Sequence, residues 1–451
     1  MRQRHLRCPA FAGLLQGFEL VRELSKDRVP GGEMRVVVVG GGVIGITTAY
    51  YLAEAGHEVV VYDRQKGPAQ ETSYANAGEI SSGYASPLAA PGAPLRALKW
   101  MLRKDSPFVF KPNLDPIFWR WLAQLLRNCT AERYQANKAL MMPLAEYSRD
   151  MLRVLRQATG ISYDEGSHGT LQLFRSQEQL DRAAADTSVL DRFQVPYEIL
   201  DAAGCINAEP GLAAARDRIS GGLRLPDDET GDCRLFTERL ADLCASRGVV
   251  FKYNTRVHAF PHWKGKVHRI VTSEGVTEGD AFVLAAGPYS ERFMRKLHQR
   301  VPVYPLKGYS LTLPVADGQA APVSTVIDET NKVAITRLGD RIRIGGTLEM
   351  SGFDVTLREE RRDLLERSLR ELFPGVDNLR DASFWCGLRP MTSDGPPIVG
   401  RTKLPNLFVN TGHGMFGWTM ACGSAKILAD TISGRQPEIE ADGLGPQRYW
   451  A

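Results

Sequence analysis

The stretch from Arg35 to Asp63, RVVVVGGGVIGITTAYYLAEAGHEVVVYD, constrains the fold more than any other part of the chain. It spells a strand, a glycine turn, a helix and a second strand that ends on a carboxylate. Val36 to Val39 is a continuous apolar run, as expected of a strand buried on both faces. Gly40, Gly42 and Gly45 fill the positions of G-x-G-x-x-G. The first permits the tight turn, the second lets a pyrophosphate approach the backbone, and the third lets the helix from Val43 to about Ala55 pack on the strand. The helix start presents N–H groups to phosphate. Asp63 follows Gly45 by 18 residues, near the offset at which an acid accepts hydrogen bonds from a ribose hydroxyl. A glycine-rich turn followed by a solvated acid would use the same letters, but all five features in register favour dinucleotide binding without saying which dinucleotide.

At 451 residues, with 43% apolar and 24% charged residues, the chain reads as globular, with two or three domains. A net charge of +4 gives no argument for nucleic acid. The seven cysteines form no C-x-x-C and no close pair, which argues against zinc, an iron–sulfur cluster or a disulfide framework and fits a reducing cytoplasm. Val36 to Ala53 carries no charge, yet its glycines read as strand plus helix, and no membrane span is expected. Residues 1–33 hold six Lys and Arg against four acids and read as a poorly ordered extension, with Met34 an alternative start of translation.

The loop ETSYANAGEISSGYASPLAAPGAP is too rich in Gly and Pro for a regular element, and such long loops are usually functional. Helices are predicted at 118–127, 136–156, 177–193 and 235–247. Strands are predicted at 170–174, 249–252, 256–260, 267–272 and 281–285, the last running into Ala286-Gly287. Strands at 304–313, 333–337 and 341–346, with a turn at Gly339-Asp340, read as a second, antiparallel domain. A third glycine cluster, NTGHGMFGWT at 410–419, links a strand at 407–409 to a helix reaching about Ile432. Three strand-to-glycine junctions so far apart imply one long ligand gripped by distant segments, which favours FAD over a nicotinamide cofactor.

At this point the chain resembles the D-amino acid oxidase superfamily of flavoproteins, most closely the bacterial D-amino acid dehydrogenases. The resemblance runs from Met34 to the C-terminus on ETSYANAGEISSGYASP, LPDDETGDCRLFT, YPLKGYSLTLP, GLRPMTSDGPPIVGRT and NTGHGMFGWTMACGS. It implies an α/β fold: a Rossmann-like FAD-binding domain, discontinuous in sequence (34–94, 136–168, 220–292 and 384–434), and an α+β substrate domain with a mainly antiparallel sheet (95–135, 169–219 and 293–383), followed by a tail at 435–451. The FAD contacts it implies are Val36, Val39, Gly40, Gly41, Gly42, Val43, Ile44, Gly45, Asp63 and Arg64, then Ser73, Asn76, Ala77 and Gly78. Further contacts are Val257 over the adenine, Ala286 and Gly287 beside the pyrophosphate, and Gly412, Gly414, Gly417, Trp418 and Thr419 facing the flavin.

Removing hydrogen from an amino acid requires its Cα–H bond to point at the flavin, so the carboxylate must be anchored. Arg389, in GLRP after the strand-like ASFWCG, matches the superfamily's carboxylate-binding arginine; without the resemblance, a structural ion pair is the plainer reading. Tyr309 is expected to lend a hydroxyl to the same carboxylate, or else to be a packed strand tyrosine. His413 can donate to flavin or substrate, or be a satisfied buried imidazole. No metal site is expected.

Residues 95–127 hold seven Lys and Arg, two acids and Trp100, Trp119 and Trp121, a composition suited to an anionic lipid surface or to ordinary amphipathic helices. The expected activity is oxidation of D-amino acids such as D-alanine to 2-oxo acids and ammonia. Electrons would pass to a quinone or other respiratory acceptor, from the cytoplasm or the inner face of the membrane. The alternatives are an oxygen-dependent oxidase of glycine or sarcosine type and a non-catalytic flavin-binding subunit.

Overall fold

A computed structural model describes residues 32–450 apart from 102–105, 112–113, 186, 316–319 and 377. Most of the expected N-terminal extension, residues 1–31, lies outside the described residues.

Arg35–Val39 forms the expected buried strand, with Val36, Val37 and Val38 at 0% exposure. It is central in a six-stranded sheet ordered Ile398–Arg401, Leu407–Thr411, Ala281–Leu284, Arg35–Val39, Glu58–Tyr62, Val250–Lys252. All neighbours are parallel except the first pair. The chain leaves Arg35–Val39 toward Glu58–Tyr62 on one side, and Ala281–Leu284 closes the other, so the carboxyl end of the central strand opens on a topological switch point.

The helix Val43–Glu54 packs back on this sheet. A Cβ at Gly45 would stand 1.8 Å from the Gly40 carbonyl oxygen, so only glycine allows the approach. Beside it runs Gly417–Ile432, which crosses the long helix Ala131–Thr159 where Gly423 N–H donates to Ser148 Oγ at 3.0 Å. The opposite face is covered by the antiparallel strands Val257–Ala259, Arg269–Thr272 and Gly275–Glu278.

A second, nine-stranded sheet runs in the order Ser383–Thr392, Val303–Pro314, Arg341–Met350, Val333–Leu338, Thr325–Asp328, Thr170–Phe174, Gly221–Leu225, Glu198–Asp201, with Phe108–Phe110 also paired to Arg341–Met350. It is antiparallel except where Thr325–Asp328 meets Thr170–Phe174 and where Phe108–Phe110 joins. The helix Glu359–Leu372, for which no expectation was formed, packs Leu365, Leu369 and Leu372 on its outer face.

Several expected bounds change. Arg389 lies within the strand Ser383–Thr392, not after it; Pro390 is tolerated there because this is an edge strand, where a missing N–H breaks no ladder. The single helix expected at 177–193 is two, Gln177–Ala185 and Ser188–Arg192, with Thr187 Oγ1 donating to the Ala184 carbonyl at the break. The strand expected at 267–272 divides between Lys266–Val267 and Arg269–Thr272, which belong to different sheets. The irregular loop contains a two-residue strand, Glu79–Ile80, paired with Glu229–Thr230, and its end begins the helix Ala93–Met101.

Candidate functional site

Between the two sheets lies a cavity of about 1770 Å³. Its walls come from all three glycine junctions, from the loop after Asp63 and from the inner face of the nine-stranded sheet. At one end are Val39, Gly40, Gly42, Val43, Ile44, Asp63, Arg64, Val257, Ala286 and Gly287. Asp63 Oδ2 accepts the Gly41 N–H at 2.6 Å and Oδ1 accepts the Gln65 N–H at 2.7 Å. Burial raises its carboxyl above the usual range, the two backbone donors opposing this. Ser73 Oγ accepts the Val43 N–H at 3.0 Å, capping the helix turned toward the cavity. Arg64 is held by Glu71 and lies 3.9 Å over the Tyr289 ring.

Toward the other end Gly414, Gly417, Trp418 and His413 come from the third junction, and Asn76 and Ala77 from the loop. Gly414 N–H donates to the Pro390 carbonyl at 2.9 Å, and Met391 bridges to His413. This contact ties the glycine loop to the strand that carries Arg389. His413 is 2% exposed. Its Nε2 is paired with Ser424 Oγ at 3.0 Å, whereas its Nδ1 has no partner. Burial pushes the imidazole down to about 3, so it is neutral at physiological pH.

Arg389 is partly buried and lines the cavity, with Nη1 donating to the Thr347 carbonyl at 2.9 Å. Among the described residues no carboxylate pairs with it. Burial lowers its guanidinium to about 10, leaving it cationic at neutral pH. It is a charge held away from bulk water beside an open space, the arrangement in which an anionic ligand is favoured.

Some expected residues are placed elsewhere. Tyr309 is on the cavity wall, but its side chain is engaged on the other face of the sheet: its ring packs against Phe384 and its hydroxyl donates to Glu349 Oε2 at 2.8 Å, the packed-tyrosine alternative. Val36, Gly41, Gly45, Gly78, Gly412 and Thr419 are not on the cavity wall. Gly78 packs against Leu338, Gly412 against Thr392, and Thr419 Oγ1 accepts the Ser81 N–H. They shape the turns that the lining residues occupy.

Other wall residues escaped the sequence reading. Gly308, Thr347, Tyr84, Glu329 and Glu79 line the cavity. Tyr84 hydroxyl donates to Glu329 at 2.9 Å, while Glu79 Oε1 is buried with no partner. Glu79 and Tyr84 stood in the quoted EISSGY stretch, so the long polar loop was a usable signal; Thr347 carried none.

The residues present fit FAD on their own geometry. At Gly40 a Cβ would meet the Ala285 carbonyl at 2.3 Å, so the turn is closed to any side chain, while at Gly287 nothing stands within 4 Å and the backbone is open to the cavity. His413, whose Nδ1 has no partner among the described residues, lines the same cavity.

Comparisons with known proteins agree. Residues 35–431 match the family described as FAD dependent oxidoreductase, DAO. The chain is 62% identical over 416 residues to D-amino acid dehydrogenase 1 of Mesorhizobium japonicum, covering 92% of this chain and 100% of that one. It is 59% identical over 417 residues to a D-amino acid dehydrogenase of Methylobacterium nodulans, covering 92% and 99%. Among solved structures, glycine oxidase from Bacillus cereus superposes with a TM-score of 0.70 at 23% identity, over 91% of this chain and 97% of that one. L-proline dehydrogenase from P. horikoshii superposes with a TM-score of 0.72 at 18% identity, over 93% and 98%. At these identities the two structures speak to the fold. With the glycine-lined cavity, the matched span and the close relatives in agreement, the chain belongs to the DAO family of FAD-dependent oxidoreductases.

Proposed function

We propose that this chain is an FAD-dependent D-amino acid dehydrogenase that converts D-amino acids such as D-alanine to 2-oxo acids and ammonia and delivers the electrons to a quinone or other respiratory acceptor. The observation that carries the reading is Arg389: a cation with no acidic partner among the described residues, on the cavity wall, one residue from the strand carbonyl that holds the His413–Gly414 loop. The names of the close relatives supply the substrate class and its handedness.

FAD, when bound, supplies the acceptor for two electrons from the substrate Cα. The chain's own residues bind and orient. Asp63 would hold the ribose, Val257 the adenine, Ala286-Gly287 the pyrophosphate and the 412–419 turn the flavin ring. Arg389 grips the substrate carboxylate through a charge-assisted pair worth about 1.5–3 kcal/mol per hydrogen bond. That limits how the Cα–H bond can turn relative to the cofactor. His413, neutral throughout, offers a hydrogen-bonding nitrogen without adding charge. In this reading the segments 34–94, 136–168, 220–292 and 384–434 mainly carry the cofactor, and 95–135, 169–219 and 293–383 mainly the substrate, with Arg389 reaching the substrate from a strand of 384–434 that joins the nine-stranded sheet.

The acceptor reading draws on an exposed surface beside the cavity, whose wall includes Arg96, Leu98 and Leu126. Leu95, Leu98, Leu114, Trp119 and Leu126 are all exposed, in and around the helices Ala93–Met101 and Pro116–Asn128, alongside Arg96, Lys99, Arg120 and Arg127. Exposed apolar side chains interleaved with basic ones suit the surface of an anionic membrane, with the protein on its inner face. Among the described residues no helix is long and apolar enough to cross a membrane. The test is anaerobic mixing with D-alanine, which should bleach the flavin while L-alanine does not. Rapid recovery with a quinone but not with oxygen supports the reading; recovery with oxygen alone replaces it with an oxidase, and no bleaching by either amino acid removes it.

A further inference from the structure

Two unfavourable features coincide at Thr347. The residue has φ +62, a left-handed conformation that a β-branched side chain adopts only under strain. Its hydroxyl is buried without a hydrogen-bond partner, the residue being 4% exposed. An unmet buried hydroxyl is destabilising.

The strand register explains the backbone. Val303–Pro314 pairs Ser310 with Gly345 and Tyr309 with Gly346, and pairing resumes at Lys307 with Glu349. Thr347 and Leu348 therefore oppose Gly308 alone, which makes a bulge. The bulge turns the Thr347 carbonyl onto Arg389 Nη1 at 2.9 Å and brings the threonine to the cavity wall. The strained residue with the unsatisfied hydroxyl is thus tied through its carbonyl to a guanidinium that no carboxylate pairs with among the described residues, an arrangement suited to an anion with two acceptor oxygens.

We propose that Thr347 is the second donor to the substrate carboxylate, its hydroxyl binding alongside the Arg389 guanidinium. The assignment rests on the reading of Arg389 given above. Arg389, already anchored through Nη1, offers its remaining N–H groups to the carboxylate, and the Thr347 O–H, free to rotate about its own bond, donates to the flank that Arg389 leaves open.

The test uses the FAD-loaded full chain. Propionate, which keeps the carboxylate and lacks the amino group, is titrated by the change in flavin absorbance, and D-alanine kinetics are measured in parallel. Thr347→Val is expected to raise the propionate Kd and the D-alanine KM by about 10- to 100-fold with kcat within about threefold, and Thr347→Ser to return both to within about threefold of the parent. Wild-type propionate affinity in Thr347→Val overturns the proposal, provided Arg389→Ala loses that affinity. If Arg389→Ala keeps it, the underlying reading of Arg389 fails instead. Should the valine variant not fold, Thr347→Ser and Thr347→Ala decide: weaker binding in alanine alone supports the assignment, and equal binding overturns it.

Discussion

Gly308 lies directly against the Arg389 guanidinium: a Cβ at 308 would stand 2.0 Å from Nη1 and 2.3 Å from Cζ. The missing side chain is therefore the seat of the arginine. Ser310, two residues on and on the same face, donates to the Ala75 carbonyl at 2.8 Å, and Gly345 opposite it meets Ala77. One face of two paired strands thus seats both the arginine and the loop that follows the second nucleotide-domain strand.

Gly308→Ala follows from this contact. The displaced atoms are the far end of a flexible side chain, so the fold is expected to survive with a melting temperature within a few degrees of the parent. The guanidinium, however, must leave its place, and a shift of about 1 Å at a positioning group costs about 100-fold in rate. A fall of about 10- to 100-fold in D-alanine kcat/KM, with flavin content unchanged, is the expected result in steady-state assays.

Gly45→Ala should behave in the opposite way. Its Cβ would stand 1.8 Å from the Gly40 carbonyl oxygen and 2.9 Å from the carbonyl carbon, and neither backbone atom can rotate aside. The helix must lift from the strand, costing on the order of 3 kcal/mol or more. Thermal denaturation should show a large loss of stability together with loss of bound flavin.

The two substitutions also mark what was legible in the sequence. Gly45 was legible because its constraint is local: strand, turn and helix lie within one stretch, and a fixed spacing encodes the packing. Gly308 and Thr347 were not, because their constraint comes from Arg389, which reaches them across strand pairings that no local pattern specifies. Tyr309 depends on the register too: the Gly-Tyr pair was correctly assigned to a strand and both residues line the cavity, but the partner that takes the tyrosine hydroxyl lies on a neighbouring strand 30 or more residues away. The long helices and the central strands were visible through their apolar period, whereas the break near Thr187 depends on one hydroxyl taking a helical carbonyl.

Asp63→Asn is expected to weaken FAD binding by about 10- to 100-fold without unfolding the protein. Each carboxylate oxygen now accepts one backbone N–H, from Gly41 and from Gln65. An amide has a single acceptor oxygen, so it leaves one of these donors facing an NH₂ group and also loses the charge that a ribose hydroxyl would meet. Flavin titration of the apoprotein, followed by fluorescence quenching, measures the change.

Glu79→Gln should change how stability depends on pH. Burial, reinforced by neighbouring Asp228 and Glu329, pushes the Glu79 carboxyl up to about 8. The folded state therefore holds this proton more tightly than the unfolded chain, whose carboxyl titrates near its ordinary value of 4.5. Between these two values the folded protein binds more protons, so this group lowers stability as pH rises, the reverse of a salt-bridged carboxylate. Glutamine keeps the shape and removes the titration. The variant is expected to match the parent near pH 5 and to gain melting temperature progressively toward pH 9, by several degrees. The comparison is made on apoprotein in matched buffers, because a bound ligand would alter the surroundings of Glu79. A gain that is equal at every pH would mean that the carboxyl is not the titrating group, and a loss at high pH would mean that its charged form is stabilised by a cation outside the described residues.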